Sequence, residues 1–136
     1  MTLRKEILRA IRAAKEVVLA NASKATERTG DINPYGDLTL VLDKKAEDVI
    51  IDTLLSAETP LAIFSEERGF LEPEGQPEYL AVIDPIDGSA NLERGIPLCS
   101  VGISLVPFSN NMMTDDAELS VIESFYTKET YIAEKG

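Results

Sequence analysis

Apolar residues recur at spacings of three and four from the start of the chain, at Leu3, Ile7, Ile11, Ala14 and Val18. A stripe of that period predicts one long amphipathic helix over residues 2 to about 28. Thr2 is placed to cap its start, and Gly30 follows its end with Asp31, Asn33 and Pro34 close behind. Glu6 with Arg9, and Arg12 with Glu16, are expected on the exposed side. Residues 29–36 then change to loop chemistry, rich in Gly, Asp, Asn and Pro, and predict a mobile connection. Leu38 to Leu42 has the look of a short strand. Asp43 follows at the head of a second helix whose apolar face is Ala46, Val49, Ile50 and Leu54.

The period then shortens to that of strands. Leu61 to Phe64 is a short apolar run leading into Ser65-Glu66-Glu67, followed by an acidic loop from Gly69 to Pro77. Tyr79 to Ile83 is a second apolar strand that stops on Asp84. Ser89 to Glu93 predicts a short helix. Cys99 to Phe108, Leu119 to Tyr126 and Thr130 to Ala133 predict three more strands, with a turn around Asn110, Asn111 and Thr114 to Glu118. Helices followed by a meander of strands give an α+β class, with helices packed on one face of a largely antiparallel sheet. A sheet finishing near residue 133 would leave an edge or a face uncovered, so the chain is expected to be the first part of a longer protein.

Composition narrows the chemistry. The 136 residues carry 13 Lys and Arg against 24 Asp and Glu, a net charge of −11. Such an acidic chain lacks the basic face that a nucleic-acid backbone requires. It can still meet a phosphate if metal cations stand between the like charges. With no histidine in the sequence, Ser-His-Asp triads, Cys-His pairs and a histidine base are excluded. The single cysteine, Cys99, can make neither an intrachain disulfide nor a zinc cluster. No apolar run has the length of a membrane span and no signal-peptide pattern is present, so a cytoplasmic address without membrane attachment is the expectation.

The remaining candidates are carboxylates at element ends. In Asp84-Pro85-Ile86-Asp87-Gly88-Ser89, a charged group ends an apolar strand, where it is costly to desolvate without a partner. Pro85 fixes the backbone direction, so that the Ile86 carbonyl and the Asp87 carboxylate can turn toward the same point as Asp84. Three oxygen donors in four residues suit a hard cation such as Mg²⁺. Gly88 allows close backbone approach, and a helix starting at Ser89 offers free N–H groups to a phosphate. Taken alone, this segment reads equally well as a strand-ending turn. Glu66 and Glu67 alone read as a solvated loop start, and Asp43 alone as a helix cap. Their joint placement at three element ends favours a cation site, because adjacent strands would gather mutually repelling acids at one edge.

The run Asp84-Pro85-Ile86-Asp87-Gly88-Ser89, followed by Asn91, Pro97 and the strand at Val101 to Leu105, resembles the signature of the inositol monophosphatase family, which includes archaeal-type fructose-1,6-bisphosphatases. Thr39 and Asp43 with Ala46-Glu47 resemble its T-x-x-x-D-x-x-A-E segment, and Ser65-Glu66-Glu67 its acidic pair. The resemblance implies the first half of a layered α/β/α/β/α sugar phosphatase fold over residues 1–136. It also implies Mg²⁺-dependent hydrolysis of a phosphate monoester, either inositol monophosphate or fructose 1,6-bisphosphate, with 3′-phosphoadenosine nucleotides as the alternative substrate. On that reading Glu66, Asp84, the Ile86 carbonyl and Asp87 are metal ligands, and Asp43, Glu67 and Ser89 are catalytic. Gly88, Ser89 and Ala90 hold the phosphate. Two or three Mg²⁺ ions, inhibition by Li⁺ and a homodimer are further implications. Two departures stand out: residues 29–42 contain no Lys or Arg, and the family's later W-D-x-A-x-G block would lie beyond Gly136. A non-catalytic metal- or phosphate-binding unit, or a dimerising module, is the competing expectation.

Overall fold

The predicted stripe forms helix α1, Leu3–Ala20, with Ile7, Ala10, Ile11, Ala14 and Val18 buried. A computed structural model describes residues 2–136. Helix α1 ends at Ala20 rather than near residue 28, and Asn21 is the reason. Its side-chain amide donates to the Val17 carbonyl at 2.8 Å and its backbone N–H to the Val18 carbonyl at 3.2 Å. Those bonds take two of the four carbonyls left free at the helix end and cap it there. A single 3₁₀ turn, Ala22–Lys24, follows. Thr2 makes no side-chain cap. Glu6 is buried, not exposed, and its charge is met by Arg9 at 2.8 Å.

The segment expected as a loop over residues 29–36 is instead part of a hairpin. Strands β1, Arg28–Ile32, and β2, Leu38–Leu40, pair antiparallel, so Gly30 belongs to a strand and not to a helix end. Asn33 makes the turn. Its buried side-chain oxygen accepts the N–H groups of Tyr35 and Asp37, each at 3.0 Å, a local arrangement that Asn favours. Helix α2, Val41–Leu55, begins before Asp43, whose carboxylate reaches back to accept the Leu40 N–H at 3.2 Å. Leu42, Ala46, Ile50, Ile51 and Leu54 form its buried face.

The remaining strands are β3 (Leu61–Ser65), β4 (Gly69–Leu71), β5 (Tyr79–Asp87), β6 (Ser100–Pro107), β7 (Leu119–Ser124) and β8 (Thr130–Glu134), with helix α3 (Ser89–Glu93) between β5 and β6. They form a six-stranded sheet in the order β4-β3-β5-β6-β7-β8. β3 and β5 are parallel, and the other neighbours are antiparallel. The class is therefore α+β on a mixed, mostly antiparallel sheet. Two expectations shift at the edges: Gly69–Leu71 pairs with β3 instead of looping out, and β5 continues past Asp84 to Asp87 with an irregular register between them.

Helices α1 and α2 pack on each other and on β3, β5, β6 and β7. Strand residues alternate between faces, so Ile63, Ile83, Val101, Ile103 and Val121 meet the helices and join the core with Phe125. Their neighbours in the strands, Phe64, Val82, Ser104 and Ile122, point to the other face, and Ile122 is 49% exposed. Among the described residues no helix is long and apolar enough to cross a membrane. Burial on the helical face dominates stability. Ile11→Ala is expected to lower the unfolding free energy by about 2–5 kcal/mol in urea titration, whereas Ile122→Thr should stay within about 1 kcal/mol.

Candidate functional site

The parallel pairing of β3 with β5 sets Ser65 opposite Ile83. In a parallel pair both strands end at the same edge, so the residues that follow, Glu66 and Asp84, stand abreast. The Glu66 N–H donates to the Ile83 carbonyl at 3.2 Å and fixes that alignment. Glu66 and Asp84 meet carboxyl to carboxyl in hydrogen-bond contact. Asp84 also accepts the Ile86 N–H, yet its Oδ1 is buried and finds no donor among the described residues.

Two carboxylates so placed cannot both stay ionised without a compensating charge. Burial, contact with Asp84 and the charges of Asp84, Glu67 and Asp43 push the Glu66 carboxyl up to about 8. Asp84 is also raised, first by burial and then by the Asp87 charge. Burial pushes Asp43 up to about 6, although the Ser89 hydroxyl bond pulls the other way. Asp87 is exposed at the end of β5 beside Asp84.

A second group of side chains faces the acids from α2, α3 and the hairpin. Ser89 Oγ lies 2.8 Å from Asp43 Oδ1 and 3.0 Å from the Ile86 carbonyl, so one hydroxyl proton is shared between two acceptors. Thr39 donates to Glu67 Oε2 at 2.7 Å. Asp43, Glu66, Glu67, Ser89 and Ala90 line a cleft of about 440 Å³. Glu66 also borders a neighbouring hollow of about 450 Å³ with Asp84. Gly88 lies outside this cleft, beside Asp87 in a third depression. Its φ is +90°, and a Cβ there would sit 2.8 Å from the Leu98 carbonyl, so only glycine fits.

The donor set consists of hard oxygens around a buried, donor-less carboxylate atom, which suits a divalent cation such as Mg²⁺. The cluster is not yet closed into a cage: among the described residues no three acid side chains converge as a ready ligand set. Glu66 and Asp84 are brought together, while Asp87 lines the separate depression with Gly88 and reaches Asp84 only through its charge. Two residues of this neighbourhood escaped the sequence reading. Arg28 lines the cleft, with its guanidinium 2.6 Å from Glu93. Glu47, seen only as part of a motif, is fully buried behind the acids. Both act through partners distant in the chain, which no local pattern identifies.

Comparison with known proteins gives a consistent picture. A model described as the inositol monophosphatase family matches residues 2–136. The fructose-1,6-bisphosphatase/inositol-1-monophosphatase of Methanothermobacter thermautotrophicus is 32% identical over 142 residues, covering 93% of this chain and 49% of the relative. The bifunctional NADP phosphatase/NAD kinase of Methanococcus maripaludis is 34% identical over 116 residues, which are 77% of this chain and 20% of that protein. A solved inositol monophosphatase-fructose 1,6-bisphosphatase aligns with a TM-score of 0.82 at 27% identity, over all of this chain and 50% of its own. The chain thus spans about half, or less, of the length of these relatives.

The raised carboxyls carry a stability consequence with a definite sign. The folded chain keeps protons on Glu66 and Asp43 that the unfolded chain has already released. Stability therefore falls as pH rises from about 4.5 to about 8, and levels off above. Thermal melts in EDTA should show that decline, and Glu66→Gln should flatten its upper part. A melting temperature that climbs between about pH 6 and 8 would contradict the crowding of these acids.

Proposed function

Because the chain belongs to the inositol monophosphatase family, we propose that it forms the cation- and phosphate-binding part of a Mg²⁺-dependent phosphomonoesterase acting on inositol monophosphate, fructose 1,6-bisphosphate or both. The observation that carries this reading is the abutting Glu66–Asp84 pair with its buried, donor-less Asp84 oxygen. Glu66, Asp84, Asp87 and the Ile86 carbonyl would hold Mg²⁺. The Ile86 carbonyl already accepts the Ser89 hydroxyl and keeps a second lone pair free. Bound Mg²⁺ supplies Lewis-acid stabilisation of the phosphoryl oxygens and a lowered pKa for coordinated water.

The protein's own groups do the rest. Asp43 draws the Ser89 proton toward itself across 2.8 Å, leaving the Ser89 oxygen free to accept a hydrogen bond from the attacking water. With its pKa pushed up to about 6, Asp43 is a competent proton acceptor near neutral pH. Glu67, steadied by Thr39, orients water at the cleft wall. Gly88, Ser89 and Ala90 supply backbone N–H groups to the phosphate where the chain turns into α3. No covalent phosphoenzyme is required by this arrangement.

A second reading, a non-catalytic unit that binds cation or phosphate, is favoured by one observation: no three acids are closed on one point among the described residues. Phosphate release separates the two. The chain is assayed with Mg²⁺ against inositol monophosphate, fructose 1,6-bisphosphate, a 3′-phosphoadenosine nucleotide and NADP, since the Methanococcus relative is named an NADP phosphatase. Turnover that falls about a hundredfold or more in Asp84→Asn, the scale of losing one charge-stabilising group, supports the phosphatase. Mg²⁺-dependent thermal stabilisation without turnover supports the binding unit. Equal hydrolysis in EDTA would remove both.

A further inference from the structure

Glu47 lies one helical turn beyond Asp43 on α2, on the same buried side. Its side chain is fully shielded from water, a costly position for a carboxylate without partners. The partners it has found lie in one short segment. Ser65, at the end of β3, donates its hydroxyl to Glu47 Oε2. The backbone N–H of Glu67 also reaches the carboxylate. Arg68 Nε lies 2.6 Å from Glu47 Oε1 as an ion pair. The same guanidinium also pairs with Asp48, the next residue of α2. Residues 65 and 68 flank Glu66 and Glu67 on both sides, while Glu47 itself lines neither the cleft nor the hollow around Asp84.

The geometry points to Glu47 as a positioning residue: its buried carboxylate pins the Ser65–Arg68 turn to helix α2 and so fixes the direction in which Glu66 and Glu67 present their acids to Asp84 and Asp43. The role rests on the reading of those acids as a cation site. Its physical logic is restraint against repulsion. A turn bearing two acids, facing two more, relaxes toward water unless something holds its backbone. Ser65 and Arg68 are the handles, and Glu47 grips both from the side of the core. Glu47 therefore acts on a bound cation only through Glu66 and Glu67, in the way outer partners orient direct ligands.

The test compares Glu47→Gln, Ser65→Ala and Arg68→Met with the unaltered chain, using Mn²⁺ as probe and calorimetry for its affinity. ¹⁵N relaxation and amide exchange at residues 65–68 are measured without metal. Ile50→Val, a core change on the same helix, controls for a general loss of stability. The expected result is a rise of about tenfold in Kd for the three clamp variants, the usual scale for losing such a partner. It should come with faster exchange of the Glu66, Glu67 and Arg68 amides, and with neither change in Ile50→Val. Arg68 is partly exposed and Ser65→Ala is a small change, so these two decide the matter if Glu47→Gln does not fold. Mn²⁺ affinity within about twofold of the parent in the folded clamp variants, or an equal loss in Ile50→Val, overturns the positioning role. Asp84→Asn, which does not touch Glu47, reports on the underlying reading. If it binds Mn²⁺ as well as the parent, or the parent binds none, the cation site fails, and the metal-free amide data alone decide whether Glu47 holds the turn.

Discussion

The arrangement depends on one contact, the side-by-side placement of the Glu66 and Asp84 carboxyls at the ends of parallel β3 and β5. Had the two strands run antiparallel, like the other neighbours in the sheet, the acids would sit at opposite edges and never meet. Parallel pairing requires a crossover between them, and here the connection carries the antiparallel β4 before returning to β5. The sheet edge that results is loaded with like charge in partial burial. Such a place is destabilised at neutral pH until a cation or protons relieve it.

The surrounding structure holds this unfavourable edge in place. α2 packs on β3 and β5 and brings Asp43 against Ser89. The β1–β2 hairpin brings Thr39 against Glu67. Behind both, Glu47 joins α2 to the turn carrying Glu66 and Glu67. The acids thus come from α2, the turn after β3 and the end of β5, each anchored in the apolar core under α1 and α2. Functional surfaces that store repulsion need such a rigid support, because side chains on a soft scaffold would rotate apart into water.

Family membership fits this picture without depending on it. The relatives named as phosphatases are matched over much of this chain, while the chain accounts for half or less of their length. Residues that choose among phosphate esters need not lie in the matched part. The chemistry common to such esters, a phosphate beside divalent cations, is what we propose for the acid edge and the turn into α3.

The residue pattern by itself determined most of the element types, though not β1 and β4. The periodicity of Ile7, Ile11, Ala14 and Val18 marked α1, the short strand-like runs of β5 to β8 marked the sheet, and the acids following apolar runs marked the candidate site. These signals are local, because side-chain period and backbone geometry are coupled within a few residues. Local signals failed where a distant or unusual partner decided the outcome. Asn21 closed α1 early with a side-chain bond, Asn33 folded a polar stretch into a hairpin turn, and β3 captured Gly69–Leu71. Only the tertiary structure decided that β3 and β5 are parallel neighbours, that Arg28 reaches Glu93, and that Glu6 and Glu47 are buried. Strand order and the burial of a charge are set by contacts between residues far apart in the chain, and no window of sequence contains both partners.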